Sequence, residues 1–598
     1  MDSTALHTTV NRISDRTFAW MLAGMSMLWN LAVGAQGFDM LDEGWSLTAY
    51  QQVFSDPESV SYQFLYYLTD IIGGAWELAF GCGGIYAYRV LTAILLTINA
   101  LLAFHLMRPY MPRSALLLGI LASYACSDYG IMVFYHNYLT ALLATVAVCL
   151  MVRALTTHSL PCMTAAAAVI AINIFSRLPN VSFLALLLVL IPYYIYNGAP
   201  KTLRMAAAAA LGLPLGVALV VAVMLLIGHN HLPIFLQAIA DGNSAASDPG
   251  SSHNLAAMAA TYLRIYCHVF THGIFSNTYT VYQLGTPLFL AVILCRRYPP
   301  ALVYMATLIL LAMHLQPLGS DFGIQNMGEN SIYLATPFAF GIVARWLKAN
   351  HCQPDSHSSQ RSQCLTDTPV SHSSQRSQCL TDSPVSHSGQ RSQCLTDTQS
   401  PKHFTAFTHN LPSSLYPTLS HLAILFALLF ILRGIKHISH QCYFDEGPRT
   451  QKRFLPDNPL ATTFTTAENC RQLNDILHHI QPYVKPGDTI LCFQNMPALH
   501  YLTRTRPYLR NAWPWSYDPG NMDRKFRDAQ QRHTKLPVVI REKTMVPRWT
   551  VPYPAWDDTH STDNYFHKNH KVQLIQQFLA THHYTVVWQN DVCQLLIP

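Results

Sequence analysis

Three carboxylates crowd into one short segment near the start of the chain: Asp39, Asp42 and Glu43, in Gly37-Phe-Asp-Met-Leu-Asp-Glu-Gly-Trp45. No lysine or arginine occurs from Gly37 to Tyr88. The acids directly follow an apolar stretch, and anions beside a bilayer are costly unless they are solvated, paired or used. A carboxylate held at that boundary can act as a general base, accepting the proton of an acceptor hydroxyl. The competing reading is structural, because Asp and Glu are favoured in the first turn of a helix.

Composition fixes what must position these acids. Of 598 residues, 51% are hydrophobic and 12% are charged, about half the ~25% of an ordinary soluble protein. So few charges cannot clothe a chain this long in solvated surface, which excludes a largely disordered chain and an ordinary soluble enzyme. The expected fold class is an α-helical polytopic membrane protein. A span needs ~20 mostly apolar residues to cross ~30 Å of hydrocarbon. Eleven runs qualify: 17–36, 89–107, 114–126, 138–154, 160–176, 181–197, 205–228, 284–296, 299–315, 331–347 and 416–432. The runs at 114–126 and 284–296 are short and need flanking residues to reach across. The first run reads as a true span and not as a cleavable signal peptide.

Cation placement orients the spans. With the N-terminus in the cytoplasm, Arg12, Arg16, Arg108, Arg113, Arg153, Lys201, Arg204, Arg296, Arg297, Arg345 and Lys348 all lie inside. Up to residue 348 the outer side then holds only Arg89, Arg177 and Arg264. The acidic segment is placed outside, and an odd number of spans sends the C-terminal region there too. Arg433 and Lys436, just past the last span, depart from this pattern.

The domain organisation that follows is a membrane module over 1–347, a linker over 348–415, a last span over 416–433 and an outer α/β domain over 434–598. The linker carries SHSSQRSQCLTDTPV, SHSSQRSQCLTDSPV and SHSGQRSQCLTDTQS in tandem over 356–400. This unit cannot bury enough apolar surface to offset chain entropy, so a disordered cytoplasmic segment is expected. Cys364, Cys379 and Cys394 recur with it, as a metal-binding array or as a chance expansion. In the last domain, Thr489–Phe493, Val538–Arg541 and Thr585–Trp588 read as strands, and 466–480 and His570–His582 as helices. Cys442, Cys470, Cys492 and Cys593 would be open to disulfide formation in an oxidising compartment. Trp513, Trp515, Trp549 and Trp556 offer faces for sugar rings or for core packing.

Asp42-Glu43 after the first span, an amphipathic stretch through Tyr67, and Tyr88-Arg89-Val-Leu-Thr-Ala opening the second span resemble the GT-C glycosyltransferases. The similarity is to the protein O-mannosyltransferase and aminoarabinose transferase group. Phe175-Ser-Arg-Leu-Pro-Asn180 is similar to that family's polar break between mid-chain spans, and the outer domain after the last span is also familiar from it. The resemblance implies a sugar donor on a polyprenyl phosphate and transfer, with inversion, to an acceptor hydroxyl outside the cytoplasm. Asp42 would be the base and Glu43 would position acceptor or donor, with Asp39 as the alternative base. The leaving lipid phosphate calls for positive charge. Arg177 and Arg264 are the candidates, and Arg89 is either a third or a snorkelling side chain at a span end. For Arg177 the alternative is a structural pair with a buried acid.

Further contacts to substrate are expected from the second outer loop, at His136 and Asn137 with Asp128 nearby, and from the glycine-rich Gly319–Asn330, at Asp321, Asn326, Glu329 and Asn330. Glycines allow close backbone approach, and amides and acids bind sugar hydroxyls. A tight turn is the structural alternative. No cofactor is indicated with certainty. A divalent metal could bind among His229, His231, His253, His268 and His272, but their spacing is not compact. The implied partners are the lipid-linked donor, a glycan, lipid or protein acceptor, and the bilayer, with no nucleic acid. The implied location is a bacterial inner membrane, with the site and the last domain facing the periplasm. Other readings are a multi-pass transporter, which lacks the expected inverted repeat, and a non-catalytic envelope assembly protein.

Overall fold

The apolar runs fold as helices, and their lengths are what distinguish them. The computed structural model describes residues 14–127, 130–228, 230–247, 255–272, 276–295, 298–320, 323–351, 415–445, 447–542 and 562–598. Among the described residues, six helical segments are long and apolar enough to cross a membrane: Asp15–Gly34, Pro57–Met107, His136–Thr157, Leu178–Asn197, Ala199–Ile227 and Leu415–His440. Arg113–Tyr124, Leu160–Ile174 and Pro300–Leu315 are apolar but shorter. Asn277–Leu294 and Ala335–His351 complete the set of helices onto which the eleven runs fall. Serine caps set several starts: Ser14, Ser159 and Ser276 accept from the N–H groups of Thr17, Cys162 and Tyr279. The outer faces stay apolar. Leu225 and Leu226 are 65% and 85% exposed on their helix, surface that hydrocarbon covers better than water does.

Pro57–Met107 is not one rod. It comprises a 3-10 stretch Pro57–Tyr66, a helix Tyr67–Phe80, a 3-10 turn Gly81–Gly83 and the long helix Gly84–Met107. Together with a helix at Asp42–Gln52, these elements turn the first outer loop into packed structure. Nearly every residue of Asp42–Gln52 is buried, because it wedges against the C-terminal residues. A Cβ on Gly44 would lie 2.2 Å from the Ala498 backbone nitrogen, so only glycine permits that approach. Trp45 Nε1 donates to Asn511 Oδ1 at 2.9 Å, and the Phe38 N–H donates to Asp445 Oδ2 at 2.8 Å. Asp445 is itself fully buried, paired with Lys452 Nζ at 3.0 Å and hydrogen-bonded by Thr465 and Asn469.

Met1–Arg345 and Ala423–Pro598 therefore form one compact unit, and Trp346–Leu422 forms a second. The segment after the first helix is part of the core that the C-terminal residues share. Gly44→Ala is expected to cost about 1–3 kcal/mol through overpacking, read as a lowered unfolding midpoint of the purified protein. The expected linker lies almost wholly outside the described residues, as do its three cysteines, Trp549 and Trp556.

The C-terminal residues build a five-stranded sheet from β1 Thr489–Phe493, β2 Arg506–Pro507, β3 Val538–Glu542, β4 Thr585–Gln589 and β5 Cys593–Ile597, in the order β2-β1-β3-β5-β4. β1 runs parallel to β2 and β3, whereas β5 is antiparallel to β3 and β4. The helix Ala467–Ile480 is capped by Thr466 and buries Leu473, Ile476 and Ile480 on one stripe. Thr562–Thr581 supplies the second expected helix. Cys442, Cys470, Cys492 and Cys593 are not disulfide-bonded, so the disulfide considered for them is not formed.

Glu542 ends β3, and burial pushes its carboxyl up to about 8, against one hydrogen bond from the Asn495 N–H at 3.3 Å. The ordinary value is 4.5. Between these two values the folded chain keeps a proton that the unfolded chain has released. Stability therefore falls as pH rises through that window and levels off above it. Glu542→Gln is expected to raise Tm by several degrees at about pH 9 and by little near pH 4. A Tm difference that does not grow with pH contradicts this.

Candidate functional site

The Asp42–Gln52 helix begins because Asp39 starts it. Its Oδ1 accepts from the Leu41 N–H and its Oδ2 from the Glu43 N–H, both at 2.8 Å, which satisfies donors that a helix start leaves open. Asp39 is 1% exposed. Burial, and then the neighbouring Asp42 and Glu43, hold its carboxyl well above the usual range even with those two hydrogen bonds. Both oxygens of Asp39 thus accept hydrogen bonds inside the protein.

Glu43 is equally enclosed. Arg89 Nε and Nη2 donate to its two oxygens at 3.1 and 2.7 Å, and the Val133 N–H adds a third bond at 2.8 Å. Arg89 also donates to the carbonyls of Gly34, Gln36 and Gly37 at 2.8–3.0 Å, closing the C-terminal end of Asp15–Gly34. The pair is about as buried as side chains become, at 4% and 1%. Arg89 is buried with its acid and does not snorkel. Together they join the first helix, the Asp42 helix and the second outer loop.

With its two neighbours committed, Asp42 is the acid of the segment that keeps partial exposure. The Tyr443 hydroxyl donates to Asp42 Oδ2. Burial and then the Asp42 charge push the Tyr443 phenol well upward, so it stays a protonated donor. Tyr135 stands next to this group. Burial and then Asp42 raise its phenol, while the Arg177 charge lowers it. Tyr66 stacks on the His136 ring at 4.3 Å between centroids, and Tyr135 lies tilted against it at 3.9 Å. The Arg177 charge acts on His136 as well. Arg177 is 3% exposed and donates to the Gln316 carbonyl at 3.4 Å, and Gln316 Nε2 donates to the Asn137 carbonyl at 3.3 Å. Asn137 is 5% exposed, and its Oδ1 lacks a hydrogen-bond partner.

The polar break that carries Arg177 is held by its own network. Asn180 Nδ2 donates to Thr140 Oγ1 at 2.8 Å and to the Asn173 carbonyl at 2.9 Å, and Ser176 Oγ donates to the same carbonyl at 2.7 Å. The chain here leaves the Leu160–Ile174 helix and enters the 3-10 stretch Leu178–Val189. Arg177 in between adopts an extended backbone that turns its side chain aside.

The structure thus gathers Asp42, His136, Asn137 and Arg177 around Tyr66, Tyr135 and Tyr443. Other expected contributors sit elsewhere. Arg264 is exposed on the Leu255–His272 helix, and no interaction among the described residues joins it to the Asp42 group. The glycine-rich segment is not a tight turn. It contains the helix Ile324–Ser331. Asp321 and the Asn326 side chain lie outside the described residues. Glu329 is half-buried, and its charge acts on Tyr138 and Tyr333. Among the described residues no three His, Cys, Asp or Glu side chains group as metal ligands do. His231 is buried with its Nδ1 at 3.2 Å from the Tyr67 hydroxyl, while Asp128, His229 and His253 lie outside the described residues.

Sequence reasoning missed the aromatic frame and Gln316. Tyr135 adjoins a residue already singled out, so it could have been found. Tyr443 lies 401 residues from Asp42, and no local pattern connects them. No protein-family model matches this chain, and no curated protein matches it.

Proposed function

We propose that this protein is a membrane glycosyltransferase of the GT-C kind. It moves a sugar from a polyprenyl-phosphate donor to an acceptor hydroxyl on the non-cytoplasmic face. The observation that carries the reading is a partly exposed carboxylate, Asp42, held by the Tyr443 hydroxyl, near a buried guanidinium, Arg177, with both charges acting on Tyr135, in a chain whose long helices are apolar enough to cross a membrane. Asp42 removes the acceptor proton as the acceptor oxygen bonds to the anomeric carbon. The bond from that carbon to the lipid-phosphate oxygen breaks, and the phosphate leaves carrying the electron pair. Arg177 supplies the fixed positive charge toward which that negative charge develops. Tyr443, donating to the second function of the Asp42 carboxylate, orients it, and His136, Asn137 and the tyrosines line the sugar path.

In this reading all eleven apolar helices embed in the membrane, and the cations place Asp42 and the C-terminal sheet outside the cytoplasm, in a bacterial inner membrane facing the periplasm. The transporter alternative is weakened by the Thr140–Asn173–Ser176–Asn180 group. Its members hydrogen-bond one another and leave little to conduct a solute. Mass spectrometry of lipid-linked sugars and envelope glycans tests the proposal, comparing a deletion strain with strains carrying the wild-type gene and Arg177→Gln. A glycan lost with the gene, together with its sugar accumulating on the lipid carrier, is expected, and Arg177→Gln should reproduce both. Identical profiles in all three strains contradict the reading.

A further inference from the structure

Arg433 and Lys436 break the charge pattern that orients every earlier helix, and the structure shows what they border. They sit near the end of the Leu415–His440 helix and line a cavity of about 200 Å³ with His437, His440, Ser276 and Asn277. The cavity exists because two backbones meet there. A Cβ on Gly434 would lie 2.0 Å from the Ala125 carbonyl oxygen, so glycine lets the helix close onto that turn. Asn277 opens the Asn277–Leu294 helix, whose N-terminus adds partial positive charge.

Asn277 gives a second, independent sign of a ligand. It is 5% exposed, and its Nδ2 donates to the carbonyls of Ala125 and Phe430 at 2.8 and 3.0 Å. Those two bonds fix which atom is the oxygen, and that Oδ1 is buried with no partner among the described residues. A buried acceptor of this kind calls for a hydroxyl or N–H from whatever fills the space. The ligand must therefore combine negative charge with a hydrogen-bond donor. Leu425, Leu429 and Leu432 lead up to Lys436 at helical spacing and are 52%, 58% and 60% exposed. They form an apolar track that ends at the cations, as an acyl chain ends at its headgroup.

We propose that this cavity binds the headgroup of an anionic phospholipid, its phosphate at Arg433 and Lys436 and a headgroup hydroxyl at Asn277. The site is separate from the Asp42–Arg177 group and does not depend on the sugar-transfer reading. It accounts for two cations at a span end where the orienting pattern asks for none. The bound lipid would brace the junction between the last helix and Tyr443, seven residues beyond Lys436 in sequence.

The test uses the full-length protein in detergent, with native mass spectrometry counting lipid adducts. The probes are phosphatidylglycerol, phosphatidylcholine and inorganic phosphate. Wild-type protein is expected to prefer phosphatidylglycerol over phosphatidylcholine by about tenfold or more, with millimolar phosphate failing to displace it. Arg433→Gln/Lys436→Gln should abolish the preference, Asn277→Ala should weaken it, and the charge-preserving Arg433→Lys/Lys436→Arg should retain it. Equal binding of the two lipids by wild-type protein, or an undiminished preference in the glutamine variant, overturns the proposal. Displacement by inorganic phosphate identifies a free-anion site and overturns the lipid assignment.

Discussion

Asp42→Asn is expected to lower sugar transfer by roughly 10²–10⁴-fold, the range that a positioned general base contributes. Donor binding should be nearly unchanged. The substitution keeps the shape of the side chain and an oxygen that can accept from Tyr443, so the fold has no reason to respond. What disappears is the capacity to take a proton. Transfer measured on purified protein should therefore fall in the turnover rate and not in the apparent affinity for donor, and the unfolding midpoint should shift little. Tyr443→Phe provides the graded comparison. It leaves the carboxylate in place but unoriented, and a smaller loss is expected, within about tenfold, in line with one neutral hydrogen bond. If Asp42→Asn and wild type transfer at the same rate, Asp42 is not the base.

The second large effect is on stability. Arg89→Met leaves Glu43 buried, with the Val133 N–H as its remaining donor of those described above. Removing one partner of an enclosed ion pair costs about 3–5 kcal/mol, because the other charge stays in a poorly polarisable surrounding. Arg89 also satisfies three backbone carbonyls, so the loss is expected at the upper end. Glu43→Gln/Arg89→Met should recover part of it. A double-mutant cycle on the unfolding midpoint measures the coupling. The cycle also separates two roles for Glu43. If Glu43 only fixes the loop, the folded fraction of the double variant retains transfer. If Glu43 contacts substrate, transfer is lost in every variant that lacks it.

Hydropathy made the helices legible, because a run of apolar residues can satisfy its backbone only as a helix in lipid. Short apolar, β-branched runs did the same for β1, β3 and β4. β2 escaped because it pairs through Arg506 and Pro507 alone, too few residues for any periodicity. The packing of the segment after the first helix was not legible. The contacts that close it, Phe38 with Asp445 and Trp45 with Asn511, join residues more than four hundred positions apart.

The acidic segment was recognisable from its position and its lack of nearby cations, but the division of labour within it was not. Asp39, Asp42 and Glu43 look alike in sequence. They differ only through what folds against them: backbone N–H groups at Asp39, Arg89 at Glu43 and a tyrosine hydroxyl at Asp42. The same holds for the outer arginines. Arg89, Arg177 and Arg264 look equivalent in the charge pattern, and the fold separates them into a buried ion pair, a buried side chain in the proposed site and an exposed side chain.

The most direct measurement is release of polyprenyl phosphate by the purified full-length protein, incubated with polyprenyl-linked sugars extracted from cell membranes together with envelope acceptors. Wild-type protein should release the lipid phosphate as the sugar appears on acceptor, while Asp42→Asn binds the extract and releases almost none. Release that proceeds equally with Asp42→Asn, or that never occurs with wild-type protein, contradicts the account.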